Sequence, residues 1–393
     1  MKLLYVNRDP PGFGGGERRL LEISKWLAGR GHCVHVLCGK TRPDLPDYEQ
    51  IEGVHFHYLT LLPAFLFRFE RFSFYFSRYL FYFLSAFFGR WIRRLKPDII
   101  IDYVTPSPSL IYLLARLYGK PCVGVIMEYR SYQQWREVAD PVSAHLGFIG
   151  QNIFFRRFRY DRIITISQAT FRQLVNGGIQ ADRIQVIPLG VKKSDHMPDR
   201  EIKRELNTLL VVGRLMPQKG HSYLLEAFDR VRQQIPDARL WVVGDGPLRE
   251  RLSAVVREKG LANAVNFTGP VSEAEKVSRL WQATLFVMPS LQEGFGVVLL
   301  EAMVCELPIV AFDLPVYREW FNGARAAFVP RLDSAALAQA IVQLLQDQEA
   351  RHEMAAHNRQ CAGQYSWQTA AAAEERCLLA LYQRFQIGSI SED

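Results

Sequence analysis

In the stretch QEGFGVVLLEA, Gln292 to Ala302, two glutamates stand on either side of a Gly-Phe-Gly and a run of aliphatics. Were the whole stretch helical, the eight steps of about 100° between Glu293 and Glu301 would set them roughly 80° apart and two turns from one another. That is a poor arrangement for two carboxylates sharing one task. The stretch reads better as a strand, LFVMPS, a loop, LQEGFG, and a helix, VVLLEAMVCE. Glu293 then lies in the loop and Glu301 inside the helix, each reaching a different part of one extended ligand. The amides of Gly294, Phe295 and Gly296 line the positive end of the helix, which suits a diphosphate.

Other loops have the same construction. In VVGRLMPQKG a strand ends in a glycine, and Arg214 and Lys219 follow it. A guanidinium offers a planar fork and an ammonium a point charge, the two usual ways of holding phosphate. The bland alternative is a solvated surface pair. Their position after a strand's carboxyl end, where open sheets bind ligands, favours the ligand. In VVGDGPLRERL, Gly244, Asp245 and Gly246 follow a strand and lead into an amphipathic helix, which alone is only a turn and a helix start. Near the beginning, LLYVN runs into a turn containing Gly14, Gly15 and Gly16, and then a helix ending near Gly29 to Gly31. Such a turn lets amides approach phosphate or sugar oxygens. It is not a dinucleotide fingerprint, because Gly12 and Gly14 would need a third glycine where Glu17 stands.

The elements that must position these loops are short apolar runs alternating with amphipathic segments, the pattern of a parallel α/β sheet. Strands are expected at Lys2 to Asn7, Cys33 to Cys38, Ile99 to Tyr103, Cys122 to Met127, Arg162 to Ser167 and Ile184 to Ile187. A second set is expected at Thr208 to Gly213, Arg239 to Gly244, Val265 to Thr268, Leu285 to Pro289 and Pro308 to Phe312. Between the sets lies the polar KKSDHMPDREIKRE, which places a domain boundary near Met197. A chain of 393 residues, 49% hydrophobic and 22% charged, suits two such domains. Two doubly wound sheets would bind a ligand in the cleft between them.

The six cysteines show neither a C-x-x-C pair nor zinc spacing, so no disulfide framework or structural metal is indicated, and a reducing compartment is the default expectation. No signal peptide is read at the amino terminus. Residues 1–196 hold 27 Lys/Arg against 16 Asp/Glu, while the remainder holds 21 against 24. The first half therefore suits an anionic partner, although a basic surface with no partner would look the same.

Taken together, GGGERR, GRLMPQKG, GDGP, FTGPVS, the E-x7-E of PSLQEGFGVVLLEAM, and YSW near the end resemble glycosyltransferase family 4, in that family's order and over nearly the whole chain. The resemblance implies the GT-B architecture, two Rossmann-like doubly wound domains with an interdomain cleft. It implies an N-terminal acceptor-binding domain over 1–196, a C-terminal donor-binding domain over 197–365, and terminal helices from about 366 to 393 crossing back. It implies retaining transfer from a nucleoside diphosphate sugar, UDP ahead of GDP, with no cofactor. Arg214 and Lys219 would neutralise the leaving diphosphate and Glu293 would stabilise positive charge at the sugar. Glu301 would bind the ribose, Gly294, Phe295 and Gly296 would offer amides, and Gly15 and Gly16 would reach the donor from the other domain. Gly244, Asp245, Gly246 and Val271 would approach the nucleoside. No D-x-D occurs, in keeping with a site that needs no metal. The family often has a histidine where this chain has Glu128 and Tyr129, which makes these two the acceptor-side candidates.

Phe65 to Trp91 holds fourteen aromatics in twenty-seven residues, interleaved with arginines. Its longest uncharged part is well short of the ~20 residues that span a bilayer. Arg68, Arg71, Phe72, Phe76, Arg78 and Trp91 are expected to rest on an anionic membrane surface, with core packing as the alternative. Nucleic acid, the other partner of aromatic-basic sequence, has no further support. The expected protein is cytoplasmic and peripheral on the inner face of the cytoplasmic membrane, acting on a lipid-linked glycan, glycolipid or lipopolysaccharide-type acceptor. The alternatives are a soluble acceptor and a non-catalytic sugar-nucleotide-binding subunit.

Overall fold

The computed structural model describes residues 1–10, 14–40, 44–60, 87–104, 109–138, 141–197, 202–321 and 325–390. The chain divides into two compact units. One comprises Met1–Trp135, Pro141–Gly190 and Trp367–Asp393, and the other Arg136–Asp140 and Val191–Ser366. The division after Gly190 falls a few residues before the Met197 read from the polar connector, because His196 is fully buried in the second unit.

The first unit is built on an eight-stranded sheet. Its strands are β1 (Lys2–Val6), β2 (Cys33–Gly39), β3 (Tyr48–Ile51), β4 (Val54–Leu59), β5 (Ile99–Val104), β6 (Cys122–Ile126), β7 (Arg162–Thr165) and β8 (Ile184–Val186). They lie in the order β3-β4-β2-β1-β5-β6-β7-β8, parallel except for β3 against β4. The second unit has a six-stranded parallel sheet of β9 (Thr208–Val212), β10 (Arg239–Val243), β11 (Val265–Gly269), β12 (Leu285–Met288), β13 (Ile309–Phe312) and β14 (Ala327–Val329). Its order is β11-β10-β9-β12-β13-β14. Helices on both faces leave strands such as LFVM and IVAF buried throughout, so they are apolar at every position.

Three strands escape a search for continuous apolar runs. β14 is only three residues long. β3, YEQI, is short and mostly exposed. In β4 polar residues alternate with apolar ones: Val54, Phe56 and Tyr58 are buried while His55 and His57 point to the other face. There they meet His35 of β2, with ring centroids 4.7 Å from His55 and 5.3 Å from His57. His35 Nδ1 lies 3.1 Å from His57 Nε2. Burial, and then the neighbouring imidazoles and cations, push His35 and His57 down to about 4.

The helix Trp367–Ile390 packs on the helix Gly15–Gly29. Their contact contains a fully buried ion pair, in which the Arg19 guanidinium donates to Glu374 Oε2 at 2.5 Å and to the Tyr103 hydroxyl at 2.8 Å. The Tyr5 hydroxyl completes the group by donating to Glu374 Oε1 at 2.9 Å. Two charges out of water are tolerated here because each has several hydrogen-bonding partners.

Candidate active site

In the second unit the strand order changes direction between β9 and β12. The loops that leave the carboxyl ends of these neighbours, residues 213–219 and 289–296, therefore lie side by side, where open sheets of this kind bind ligands. Two contacts join them. The Leu291 amide donates to the Gln218 carbonyl at 2.8 Å. Gly220, at φ 66°, presses so closely on Pro289 that an added Cβ would stand 1.9 Å from its carbonyl oxygen. Only glycine allows that backbone and that approach together.

The join brings the chemical groups into contact. Lys219 Nζ donates to Glu293 Oε1 at 2.5 Å, and the Ser290 hydroxyl donates to the same oxygen at 2.8 Å. Glu293 is mostly buried, its side chain 10% exposed, while Lys219 keeps 22%. Arg214 is exposed at the start of the loop. Beneath them lies the Tyr317 ring, wholly buried, whose hydroxyl is pushed well above its usual range first by burial and then by Glu293. His221, at the first position of the helix His221–Gln234, is also buried, and burial with Lys219 nearby pushes its imidazole down to about 4.

Gly296 caps the helix Val297–Val304 at φ 89°, a left-handed turn that aims the helix start at the loop; a Cβ there would come within 3.0 Å of the Tyr317 ring. Glu301 follows inside this helix and is 3% exposed. Lys276 Nζ donates to its Oε1 at 3.0 Å and lies 2.9 Å from its Oε2. The buried His196 ring is on its other side, Nε2 standing 3.8 Å away while Nδ1 donates to the Lys192 carbonyl. Glu301 is thus held between a cation and an imidazole, and Glu293 between a cation and a hydroxyl. Reading the sequence missed Ser290, Lys276 and His196. Lys276 and His196 meet Glu301 only through the fold, whereas Ser290 stands three residues before Glu293 in the same loop and carries no pattern of its own.

Gly244, Asp245 and Gly246 lie after β10, beside the first loop. The Leu215 amide donates to the Asp245 carbonyl at 2.9 Å, and the Gly244 amide to the Gly269 carbonyl at 2.9 Å. Val271 is half-buried two residues beyond Gly269. Gly294 is half-buried, but Phe295 is buried with its ring edge toward Tyr365, centroids 6.2 Å apart, so it contributes backbone and packing to this loop.

In the first unit the order also changes direction, between β1 and β5, and the chain leaving β1 runs to Gly15 and Gly16, the first two residues of the helix Gly15–Gly29. Glu128 and Tyr129 follow β6 but differ in character. Glu128 is half-buried and receives the Arg130 guanidinium through both oxygens, at 3.1 and 3.0 Å. Tyr129 is buried in the core, its hydroxyl donating to Asn152 Oδ1 at 2.7 Å, which leaves Glu128 as the more accessible of the two. Trp91 is half-buried and lies against His57, centroids 4.6 Å apart. Arg68, Arg71, Phe72, Phe76 and Arg78 lie outside the described residues.

Residues 13–194 match the family model described as Glycosyltransferase Family 4, and residues 192–360 match the one described as Glycosyl transferases group 1. A phosphatidyl-myo-inositol mannosyltransferase of Mycobacterium leprae is 36% identical over 168 residues, 42% of this chain and 44% of that protein. A GDP-mannose-dependent alpha-(1-6)-phosphatidylinositol monomannoside mannosyltransferase of Mycobacterium tuberculosis is 28% identical over 230 residues, 54% of this chain and 60% of that protein. The chain thus spans about half the length of these curated relatives. Among solved structures, sucrose-phosphate synthase from Thermosynechococcus elongatus has a similar fold, with a TM-score of 0.80 over 98% of this chain and 99% of that one at 19% identity.

Proposed function

The chain belongs to glycosyltransferase family 4 and has the GT-B fold, and from that premise we propose that it moves a sugar from a nucleoside diphosphate sugar to a lipid-linked glycan or glycolipid, with retention of anomeric configuration. The observation that carries this reading is the contact of Lys219 with Glu293 at the carboxyl ends of β9 and β12. A diphosphate set against the second unit's loops would meet Arg214 and Lys219. An anionic leaving group is stabilised most where cations are already in place and partly shielded from water.

The steps follow from these groups. The bond between the anomeric carbon and the phosphate oxygen breaks, and Arg214 and Lys219 take the growing negative charge. Glu293 steadies the positive charge at the sugar carbon. The acceptor hydroxyl bonds to that carbon on the face the phosphate leaves, and its proton passes to the departing phosphate. Glu301 takes the ribose hydroxyls, and the Gly294 to Gly296 amides hold the diphosphate. In this reading no divalent cation is needed, so a chelator leaves the rate unchanged. The relative named for GDP-mannose brings GDP-sugars beside UDP-sugars as first donors to test. The lipid names of both relatives support a lipid acceptor; that the protein reaches it from the inner face of the cytoplasmic membrane is part of the proposal.

The test is incubation of the full chain with UDP- and GDP-sugars, with and without phosphatidylinositol-type and glycolipid acceptors, following nucleotide release and the product's anomeric signal by NMR. Release with a retained product supports the proposal. Donor binding without turnover of any donor would leave a binding subunit instead, and transfer only to soluble sugars would move the acceptor class.

A further inference from the structure

The helix Pro141–Arg157 in the first unit buries polar groups and exposes aliphatic ones. Gln151 is 3% exposed, its side-chain amide donating to the Arg130 carbonyl at 2.8 Å and accepting from the Arg130 amide at 3.1 Å. Asn152 accepts the Tyr129 hydroxyl. On the opposite side Val142 is 67% exposed, Leu146 65%, Ile149 38% and Ile153 58%. Their spacing of i, i+4, i+7 and i+11 places all four within about 60° of one another, along roughly 16 Å of helix. Single exposed aliphatics are ordinary; four in one stripe, with glutamine on the inner face, mark a surface that meets something apolar.

The charge around the stripe says what that is. From Pro141 to Tyr160 the sequence contains no Asp or Glu and three arginines. Arg157 and Arg159 are exposed at the end of the helix. The neighbouring helix Ile111–Leu117, which reaches the Arg159 carbonyl through Arg116, adds Leu113 and Leu117, 51% and 76% exposed. Among the described residues no helix is long and apolar enough to cross a membrane. Asp140 and Asp161 stand just outside the Pro141 to Tyr160 stretch, Asp161 paired with Arg116. A stripe of aliphatics with no acid within its helix and exposed guanidiniums at its end fits a helix lying flat, its aliphatics at the acyl boundary and its arginines on lipid phosphates.

We propose that the Leu146, Ile149 and Ile153 face of this helix is the surface by which the protein docks on an anionic lipid bilayer. This rests on the lipid-acceptor reading above and names the part of the first unit that would bring it to such an acceptor. Binding draws on both the aliphatics and the arginines, so it weakens when either is removed and falls with salt.

The test is flotation of the full chain with vesicles of phosphatidylcholine alone or mixed with phosphatidylglycerol, containing no glycan acceptor. The wild type is expected to float with the anionic vesicles only. Leu146→Glu/Ile149→Glu is expected to lower vesicle affinity by about tenfold or more, and Leu146→Gln/Ile149→Gln to lower it less. Arg157→Gln should reduce it and flatten the salt dependence. Wild-type protein that stays in the soluble fraction, or flotation unchanged in the double variants, overturns the proposal. So does a sedimentation result in which the wild type is a dimer and the double variant a monomer with equal flotation, since the stripe would then join two copies. Donor hydrolysis, measured in parallel without vesicles, should be the same in all these variants. Loss of flotation with hydrolysis intact concerns the stripe alone, whereas absence of donor turnover in the wild type bears on the transferase reading alone.

Discussion

Lys219 and Glu293 stand 74 residues apart in the chain and 2.5 Å apart in space, bridging the loops that follow two adjacent strands. The pair is shielded but not sealed, so Lys219 is neutralised by Glu293 until another anion arrives. A donor diphosphate entering the loops would share or take the ammonium, leaving Glu293 free to face positive charge at the sugar. On the proposed reading, one ion pair would hold both groups ready.

Lys219→Ala and Glu293→Gln are each expected to lower kcat for transfer by about 10²- to 10³-fold, the usual cost of removing one preorganised electrostatic group. Initial rates at saturating donor measure this. Lys219→Arg should recover part of the loss by restoring the charge. Near-normal rates in either of the first two variants would remove these residues from the chemistry.

Glu301→Gln is expected to act on donor binding more than on the chemical step. A hydrogen bond to a charged group contributes about 1.5–3 kcal/mol, so nucleotide affinity should fall about tenfold to a hundredfold. The preference for GDP or UDP over the 2′-deoxy forms should shrink with it. Calorimetric titration of the four nucleotides gives the comparison, and an unchanged preference would place Glu301 away from the ribose.

Gly220→Ala forces a side chain into a left-handed backbone and against the Pro289 carbonyl. We expect a loss of more than about 2 kcal/mol in stability, read from the denaturant midpoint at constant slope. A change within the error of the wild type would mean the loops separate easily.

Removing one partner of the buried Arg19–Glu374 pair leaves a charge without its counterion. Arg19→Met is expected to cost about 3–5 kcal/mol, and Arg19→Met/Glu374→Leu to recover much of it, because a packed apolar pair replaces a buried ionic one at little cost. Chemical denaturation of the two variants tests the order, and a double variant as unstable as the single one would contradict it.

The stacked histidines make stability pH-dependent. His35 and His57 titrate near 4 in the fold, below the ordinary value of about 6.5. Between those values the unfolded chain holds more protons, so stability is fully present above about pH 6.5 and is lost as pH falls toward 4. Both rings are half-exposed, which softens the effect. His35→Phe should flatten the fall in denaturant midpoint between pH 6.5 and 4; an unaltered slope would assign it to other groups.

Much of the fold was legible because its signals are local. Apolar runs of strand length, glycines where loops begin, and amphipathic stretches behind them all lie within short windows, and they give a parallel α/β chain in two parts with Arg214, Lys219, Glu293 and Glu301 after strand ends. β4 was hidden because a strand with one polar face lacks the continuous apolar run.

Strand order was beyond the sequence, and with it everything that depends on adjacency. That β9 and β12 are neighbours decides that Lys219 meets Glu293; that the helix Glu273–Gln282 lies beside Val297–Val304 decides that Lys276 holds Glu301. The helix Pro141–Arg157 shows the same limit in reverse. Its aliphatics would be assigned to a core from their type, yet they face outward, because the inner side must satisfy the Arg130 backbone and Gln151 does so. Residue type sets what a side chain can do at a given place. Which side chains share that place is set by packing between elements far apart in the chain, and that is a property of the whole fold.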